Sequence, residues 1–239
     1  IQSYRDLPQI LYQIQTKFRD EPRPRGGLLR VREFDMKDAY SLDMNQEGLD
    51  VSYTKMVKAY DNIFARCGIK PIMVEADSGA IGGRDSQEFV MLAASGEDTI
   101  LMCRGCSYAA NQEKASFPRT LLDSEDEGVL ESIHTPGTST IMEISDLLGI
   151  PQNKILKVVA YTSTNGLVIA AIRGDLEVNE IKLANILDAK GLRMASPTEL
   201  KAAGLVAGYV SVVGINDIKI VADESINSGN NFVVGANKD

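Results

Sequence analysis

Residues 18–38 contain the densest set of side chains that could bind a charged ligand. Five arginines stand in this segment: Arg19, Arg23, Arg25, Arg30 and Arg32. A guanidinium group binds phosphate through paired hydrogen bonds, and Phe34 could offer a ring face to a nucleobase. The segment therefore favours ATP or an RNA end as its ligand. The alternative is a solvent-exposed charged hairpin, in which the acids at positions 20, 21, 33 and 35 pair with the arginines.

Cys103 and Cys106 form a single C-x-x-C pair, which could hold a metal only with further ligands. A structural zinc ion needs four ligands. The other candidates are Cys67 and His134, and neither belongs to a second spaced pair. Zinc is therefore the less favoured interpretation, and we assign no metal ligand. We interpret the isolated His134 as a solvated loop residue.

Lys157 lies inside an apolar segment, ILKVVAY, that reads as a strand. Alternation puts Ile155, Lys157 and Val159 on one side, where a lysine is costly unless it finds a partner or a ligand. The pattern alone favours the simpler interpretation that Lys157 faces water.

The link at 77–86 contains Gly79, Gly82 and Gly83, which superficially resemble a phosphate-binding loop. No buried parallel strand precedes this link and no clear helix follows it, so a dinucleotide-binding loop is weakly supported and a plain turn is favoured.

The overall composition limits the function classes. The chain has 239 residues, enough for one large or two medium domains, and 44% of them are apolar. No apolar run approaches the length of a membrane span, no signal peptide is visible, and three cysteines do not suggest a disulfide scaffold. We therefore expect a cytoplasmic protein. Residues 1–120 carry a net charge of −1 and residues 121–239 a net charge of −7, so any RNA contact must be local.

The first half must position the arginines with a few regular elements. Proline and glycine between 22 and 27 predict a loop between two strand arms, and residues 7–18 are expected to be extended and half buried. Apolar spacing predicts a helix over 45–67, capped by Asn45 and ended by Gly68. Short strands over 70–76, 87–93 and 99–103 are typical of an antiparallel sheet.

The second half alternates between helices and strands, after a boundary that we place near residue 120. Helices are predicted over 140–149 and 179–189 and after Ser196, each with a capping residue. Strands 155–163 and 167–172 should form a hairpin across Asn165-Gly166. Further strands are predicted at 191–195, 209–213, 218–222 and 231–235.

The types and spacing of several residues between 18 and 38 resemble those of a known family. Phe18-Arg19-Asp20-Glu21, a loop, and then Arg30, Phe34 and Asp38 at fixed spacing resemble motif 2 of the class II aminoacyl-tRNA synthetases. The longer run over 15–42 resembles the bacterial prolyl-tRNA synthetases in particular. The resemblance continues in order along essentially the whole chain.

The resemblance implies roles for the first half. Arg19 would hold the α-phosphate of ATP, Glu21 would orient the adenine amino group or the bound substrate, and Phe34 would stack on adenine. Arg23, Arg25 and Arg30 would meet the tRNA acceptor end. The run GAIGGRDSQEF resembles the segment that closes over the amino acid, which would place Glu88 and Phe89 at the proline pocket. The family usually has His before this Glu, where this chain has Gln87.

Residues 134–239 resemble the editing insertion of the same synthetases, which free-standing aminoacyl-tRNA deacylases share. NKILKVVAY matches the segment that carries the pocket lysine of that family, here at Lys157 rather than Lys154. LVAGYVSVVGI matches the glycine-rich pocket wall, with Val212 where the family commonly has Pro, so Ser211 and Gly214 would shape the pocket. NFVVGAN matches the approach to a pocket His, and the sequence stops at Asp239 before that position.

The implied fold class is α+β: a partial class II antiparallel sheet with flanking helices over 1–120, and a mixed α/β editing domain over 121–239. The implied activity is ATP-dependent ligation of proline to tRNA(Pro), with hydrolysis of mischarged alanyl-tRNA and Mg²⁺ bound mostly by residues outside the chain. We expect an internal part of a longer, homodimeric enzyme. The alternatives are a stand-alone aminoacyl-tRNA deacylase and a catalytically incomplete fragment that binds ATP or tRNA weakly.

Overall fold

The computed structural model describes residues 1–79, 82–83, 85–118, 125–227 and 229–238. Two compact units are present. The first contains residues 1–72 and 89–95, and the second contains residues 73–88 and 96–239. The predicted boundary near residue 120 lies outside the described residues.

An antiparallel ribbon of two strands dominates the first unit. Strand β1 (Gln9–Phe18) pairs with β2 (Glu33–Leu42), from Gln9 opposite Leu42 to Phe18 opposite Glu33. The two predicted arms are therefore confirmed, with the arginine loop between them. The expectation that 7–18 would be half buried is wrong, because most of β1 is exposed. In the described chain, β1 and β2 form a sheet of two strands.

Helix α1 (Gln46–Arg66) follows the ribbon, as its apolar spacing predicts. The Asn45 side chain accepts a hydrogen bond from the Gly48 amide and caps the first turn. Gly68 has φ +71°, which a glycine adopts without strain where a helix ends. Tyr60 and Phe64 are half buried on one face of the helix.

Four short strands form a second sheet: β3 (Ile72–Glu75), β4 (Gln87–Val90), β5 (Ile100–Met102) and β6 (Ala109–Asn111). Their order is β4-β3-β6-β5. Strands β5 and β6 are antiparallel, but β3 and β6 are parallel. The sheet is therefore mixed, and the expectation of a purely antiparallel sheet is wrong. Strand β6, with the sequence AAN, has no β-branched or aromatic residue that would have predicted it.

Three capped helices lie in the second unit, between residues 141 and 202. They are α2 (Ile141–Leu148), α3 (Glu180–Leu187) and α4 (Pro197–Ala202). Thr140 and Ser196 each form a reciprocal capping box with a glutamate three residues later, and Asn179 caps α3. All three predicted helix starts are confirmed.

These helices accompany a sheet of four strands: β7 (Leu156–Ser163), β8 (Gly166–Arg173), β9 (Arg193–Met194) and β10 (Lys219–Ala222), in the order β10-β8-β7-β9. Strands β7 and β8 form the predicted hairpin, and β10 runs parallel to β8. One face of the sheet carries a core around Ala160, Ile169, Leu200, Leu205 and Val210. The other face carries a core around Tyr161, Val168, Ala170 and Leu183.

The strands predicted at 209–213 and 231–235 are wrong for the described residues. Residues 209–213 follow a turn in which the Tyr209 amide donates to the Val206 carbonyl, and Gly208 has φ +86°. In the second segment only Val233 forms a bridge, parallel to Ile155. The Asn237 side chain then ties the end of the chain to the Val206 amide and the Gly204 carbonyl. Neither segment forms a strand of a sheet among the described residues.

Candidate functional site

The arginine ribbon holds two of its predicted nucleotide-binding residues against each other. The guanidinium carbon of Arg19 lies 5.1 Å from the centre of the Phe34 ring, a cation–π contact between neighbouring strands. The Arg19 amide also donates to the Arg32 carbonyl, with the two atoms 2.9 Å apart. Arg19 is exposed and Phe34 is half buried, so the stacked pair lies at the surface.

Glu21 is the centre of hydrogen bonds that order the loop. Its carboxylate accepts from Arg30 Nε at 2.9 Å and from the Arg23 amide at 3.3 Å, and its carbonyl accepts from Arg32 Nε. The hydrogen bond from Arg30 holds the pKa of the Glu21 carboxyl below its usual value, with a smaller effect from the Arg23 amide. Arg25 and Arg30 exchange backbone hydrogen bonds across the loop. The loop is thus an ordered turn that displays cations.

Asp38, the last residue of the motif, acts within the ribbon. Lys17 Nζ lies 2.6 Å from Asp38 Oδ2, and the Gln13 amide group donates to the same oxygen. Lys17 is the main reason that the pKa of the Asp38 carboxyl is lowered. This carboxylate therefore joins β1 to β2.

Glu88 and Phe89, predicted at the proline pocket, have different surroundings. The Phe89 ring packs 5.6 Å from Tyr60 and 5.5 Å from Phe64, which closes an aromatic cluster on α1. Glu88 lines a cavity of about 390 Å³ with an acidic wall, formed by Glu88, Glu97, Asp98, Thr99, Asn111, Gln112 and Glu113. An acidic wall suits a substrate with a positive charge.

No group of three metal-ligating side chains lies together in the described parts of the chain. Cys67, Cys103 and Cys106 are free and exposed, and His134 is an exposed loop residue. The residues described therefore do not supply a magnesium or zinc site of their own.

Lys157 is neither unpaired nor freely solvated. Its ammonium group donates to Glu177 Oε1 at 2.6 Å and to the Leu176 carbonyl at 2.8 Å. The lysine side chain is 18% exposed, whereas that of Glu177 is 87% exposed. Alternation along β7 places Lys157 on the face of Val159 and Tyr161, which packs against α3.

Ser211 and Gly214 lie in the segment after α4. Ser211 is buried, and its hydroxyl oxygen accepts from the Val213 amide at 3.0 Å. Val210 and Val212, on either side of it, pack on the face of the sheet that carries Ala160 and Val158. The described packing therefore places Lys157 and the residues flanking Ser211 on opposite faces of β7, and it does not bring the three predicted pocket residues into one cluster.

A second lysine, Lys154, lies in another polar cluster of the second unit. Lys154 Nζ is buried and forms an ion pair with Glu125 Oε1 at 2.8 Å, which is the main reason that the pKa of the Glu125 carboxyl is lowered. Asn153 Oδ1 and Asn230 Oδ1 are also buried, and no described residue donates a hydrogen bond to either oxygen. Side-chain amides of Asn230 and Asn231 donate to the carbonyls of Glu125 and Asp126.

Sequence reasoning passed over this cluster because its members come from three distant segments. Lys154, at the end of a short 3₁₀ turn, pairs with Glu125, which lies before α2. Asn230, which lies after β10, donates to the Glu125 carbonyl. The Val233 amide donates to the Lys154 carbonyl and fixes the last segment beside it. The available signal was Asn-Lys directly before a buried strand, together with Asn230-Asn231 near the end.

Comparison with known proteins shows what the chain is similar to. The aminoacyl-tRNA editing domain family matches residues 135–239. A proline–tRNA ligase of Dehalococcoides mccartyi is 56% identical over all 239 residues, and one of Desulforamulus reducens is 49% identical over 241 aligned positions. The chain spans about 42% of the length of each of these relatives.

Among solved structures, a putative trans-editing enzyme for prolyl tRNA synthetase aligns with 38% of this chain and 60% of its own, at 23% identity and a TM-score of 0.36. Within the described residues, no helix combines the length and apolar character needed to cross a membrane. Along its entire length the sequence is similar to proline–tRNA ligases, and residues 135–239 match the aminoacyl-tRNA editing domain family.

Proposed function

We propose that the chain serves two reactions: the ATP-dependent ligation of proline to tRNA(Pro), and the hydrolysis of mischarged alanyl-tRNA(Pro). The observation that carries the proposal is that the full chain aligns with proline–tRNA ligases while residues 135–239 match an editing domain. A pocket made for proline cannot strongly exclude a smaller amino acid, because a missing methylene costs only about 1–3 kcal/mol. A second, hydrolytic site then removes the product that escapes the first.

In the proposed ligation the ribbon binds ATP. Arg19 holds the α-phosphate and stabilises the charge that develops when the proline carboxylate attacks it. Glu21 orients the adenine amino group or the substrate, and Phe34 stacks on the base. The guanidinium of Arg19 already covers one face of the Phe34 ring. Adenine would therefore stack on the other face, or it would displace the guanidinium. An ordered turn with exposed guanidinium groups suits a polyphosphate.

The same loop would meet the tRNA acceptor end. Arg23 and Arg25 are exposed in the loop. Arg30 lies opposite Arg25, because the two residues exchange backbone hydrogen bonds that close the turn. Mg²⁺ would accompany ATP and neutralise phosphate charge, but the described residues do not form a site for it, so we assign it no ligand here. Glu88 would face the substrate ammonium, supported by its acidic cavity, and Phe89 would supply an apolar wall.

In the proposed editing reaction a lysine holds the acyl-adenosine end while a water attacks the ester. No Ser–His or Cys–His pair can be assigned among the described residues of the second unit, so direct hydrolysis by water is the simplest mechanism. Lys157 is our sequence-based candidate, with Ser211 and Gly214 shaping the pocket. Lys154 is the competing candidate, because its buried nitrogen has a single partner among the described residues, the Glu125 carboxylate.

Deacylation of alanyl-tRNA(Pro) by the full chain tests this proposal. We would compare the unmodified chain with Lys157→Ala and Lys154→Ala, and use the exposed helix residue Lys201→Ala as the matched control. Loss of hydrolysis in one variant, with the control unchanged, assigns the substrate-binding lysine. Full activity in both variants contradicts a lysine-based pocket. Absence of hydrolysis in every chain, with normal folding by circular dichroism, contradicts editing by this chain.

Ligation is tested separately through pyrophosphate exchange in an enzyme of the relatives' full length that contains this chain. Arg19→Ala should abolish proline-dependent exchange, whereas Lys17→Ala on the same ribbon should largely retain it. Normal exchange in Arg19→Ala would refute the role of Arg19. Editing that persists without any exchange would favour the second candidate function, a stand-alone aminoacyl-tRNA deacylase.

A further inference from the structure

The hairpin of β5 and β6 presents two exposed cysteines in its loop. Cys103 directly follows β5, and its amide donates to the Tyr108 carbonyl at 2.9 Å, which closes the loop. Cys106 lies in the same loop, two residues further along than Arg104. Both thiols are free and solvent accessible, and neither has a role in the proposed ligation or editing.

The loop directs several donors at one sulfur atom. The Gly105 amide donates to Cys103 Sγ at 3.3 Å. The Gly105 amide, followed by the thiol and the amide of Cys106, lowers the pKa of the Cys103 thiol. Donors that converge on an exposed sulfur favour its thiolate form, which is the form that reacts with disulfides. The second cysteine lies three residues after the first, inside the same closed loop.

The described residues around the two cysteines do not complete a structural zinc site. A closed zinc site needs four ligands, and no group of three candidate ligands lies together there. Two thiols in one closed loop, one of which accepts a hydrogen bond from the Gly105 amide, remain suited to exchange chemistry. We propose that Cys103 and Cys106 form a redox-active pair that is oxidised reversibly to an intramolecular disulfide by a low-molecular-weight disulfide such as oxidised glutathione.

The reaction balances in two exchanges. The Cys103 thiolate attacks one sulfur of the small disulfide, forms a mixed disulfide and releases one thiolate, which takes up a proton. Cys106 then loses its proton to solvent, attacks the Cys103 sulfur and releases the second small thiol. Two protein thiols are oxidised, and one small disulfide is reduced to two thiols. Cys103 is therefore the attacking residue and Cys106 the resolving residue.

The test uses the full chain with Cys67→Ser, which removes the third thiol. The protein is equilibrated in buffers of reduced and oxidised glutathione, free thiols are alkylated, and peptides are analysed by mass spectrometry. We expect an intramolecular bridge in the peptide that spans 103–106, half formed at a defined glutathione ratio and fully reversed by dithiothreitol. In the Cys106→Ser variant, a stable mixed disulfide should accumulate on Cys103.

Two further measurements keep the assignment falsifiable. The rate of alkylation at Cys103 should exceed that at Cys106 near neutral pH, and Cys106→Ala should slow alkylation of Cys103, since the side-chain donor at residue 106 is lost. The Cys103→Ser variant should form little mixed disulfide on Cys106. The proposal is overturned if the pair stays reduced at every glutathione ratio, if Cys106 reacts first, or if the purified chain holds zinc that protects both thiols.

Discussion

A methyl group at Gly174 would meet backbone on two sides. A Cβ atom at this residue would lie 2.5 Å from the Gln152 carbonyl oxygen and 2.8 Å from the Ile155 carbonyl oxygen, where real Cβ atoms essentially never approach within 3.0 Å. The Gly174 amide also donates to the Ile155 carbonyl at 2.7 Å. Neither carbonyl belongs to a flexible side chain, so Gly174→Ala forces β8 away from the turn before β7.

The cost follows from three terms. Overpacking against fixed atoms costs about 1–3 kcal/mol, and weakening the hydrogen bond from Gly174 costs about 1 kcal/mol. Replacing glycine restricts the unfolded chain and offsets about 0.4–1 kcal/mol. We therefore expect Gly174→Ala to lower the free energy of unfolding by about 1–3 kcal/mol.

Equilibrium unfolding of the full chain in urea, followed by circular dichroism, measures this change. Hydrogen exchange should localise the lost protection to β7, β8 and the turn at Gln152–Lys154. The matched control is Gly105→Ala, where the added carbon would lie 3.9 Å from its nearest neighbour, Cys103 Sγ. The control should stay within about 0.5 kcal/mol of the original chain. An equally small change at Gly174 would refute the clash.

Two titrating groups give pH-dependent predictions for the second unit. The Glu199 carboxylate accepts hydrogen bonds first from Arg193 and then from Ser196, which lowers its pKa to about 2 from an ordinary value of 4.5. Since the folded-state pKa is depressed, this stabilisation is present above pH 4.5 and is lost as the pH falls towards 2. Glu199→Gln should therefore lower the urea midpoint at pH 7, and the difference should shrink on acidification; a constant difference would contradict it. Burial, followed by the charges of Glu180 and Glu177, raises the pKa of Tyr161 to about 12 from 10.0. Its stabilisation is present below pH 10 and is lost as the pH rises towards 12. Absorbance titration should show a late-ionising tyrosine that Tyr161→Phe removes, and an unchanged titration would contradict the assignment.

Local sequence signals predicted the elements that depend on local chemistry. The caps at Asn45, Thr140, Asn179 and Ser196 satisfy amides within three residues, so their sequences alone specify the helix starts. The β7–β8 hairpin was predicted in the same way, although its turn residues are Thr164 and Asn165, and Gly166 already belongs to β8. The ribbon arms around the arginine loop follow equally from a turn-rich link between apolar segments.

Elements that depend on distant partners were not predictable from local patterns. Strand β6 exists because Ala110 is completely buried between β3 and β5, and small residues give no strand signal by themselves. The segment at 209–213 has strand-like residues, but its carbonyls approach Gly235, where a Cβ would lie 2.6 Å from the Tyr209 carbonyl oxygen. The two backbones lie close together at Gly235 without the hydrogen-bond pattern of a sheet. Neither segment alone could have predicted this contact.

The two lysines beside β7 differ in how readily a substrate could engage them. Lys157 satisfies its ammonium group with a carbonyl and with Glu177, and because the Glu177 side chain is 87% exposed, water can solvate that carboxylate when the pair separates. Binding at Lys157 must nevertheless replace two hydrogen bonds that already exist. The buried nitrogen of Lys154 forms one ion pair, with Glu125 at 2.8 Å, in the described chain, so a phosphate or ester oxygen there would replace one interaction rather than two. The desolvation of Lys154 has already occurred on folding, and a ligand oxygen there recovers part of that cost. If one lysine alone supports deacylation, this difference favours Lys154, with Glu125 as the group that the substrate displaces.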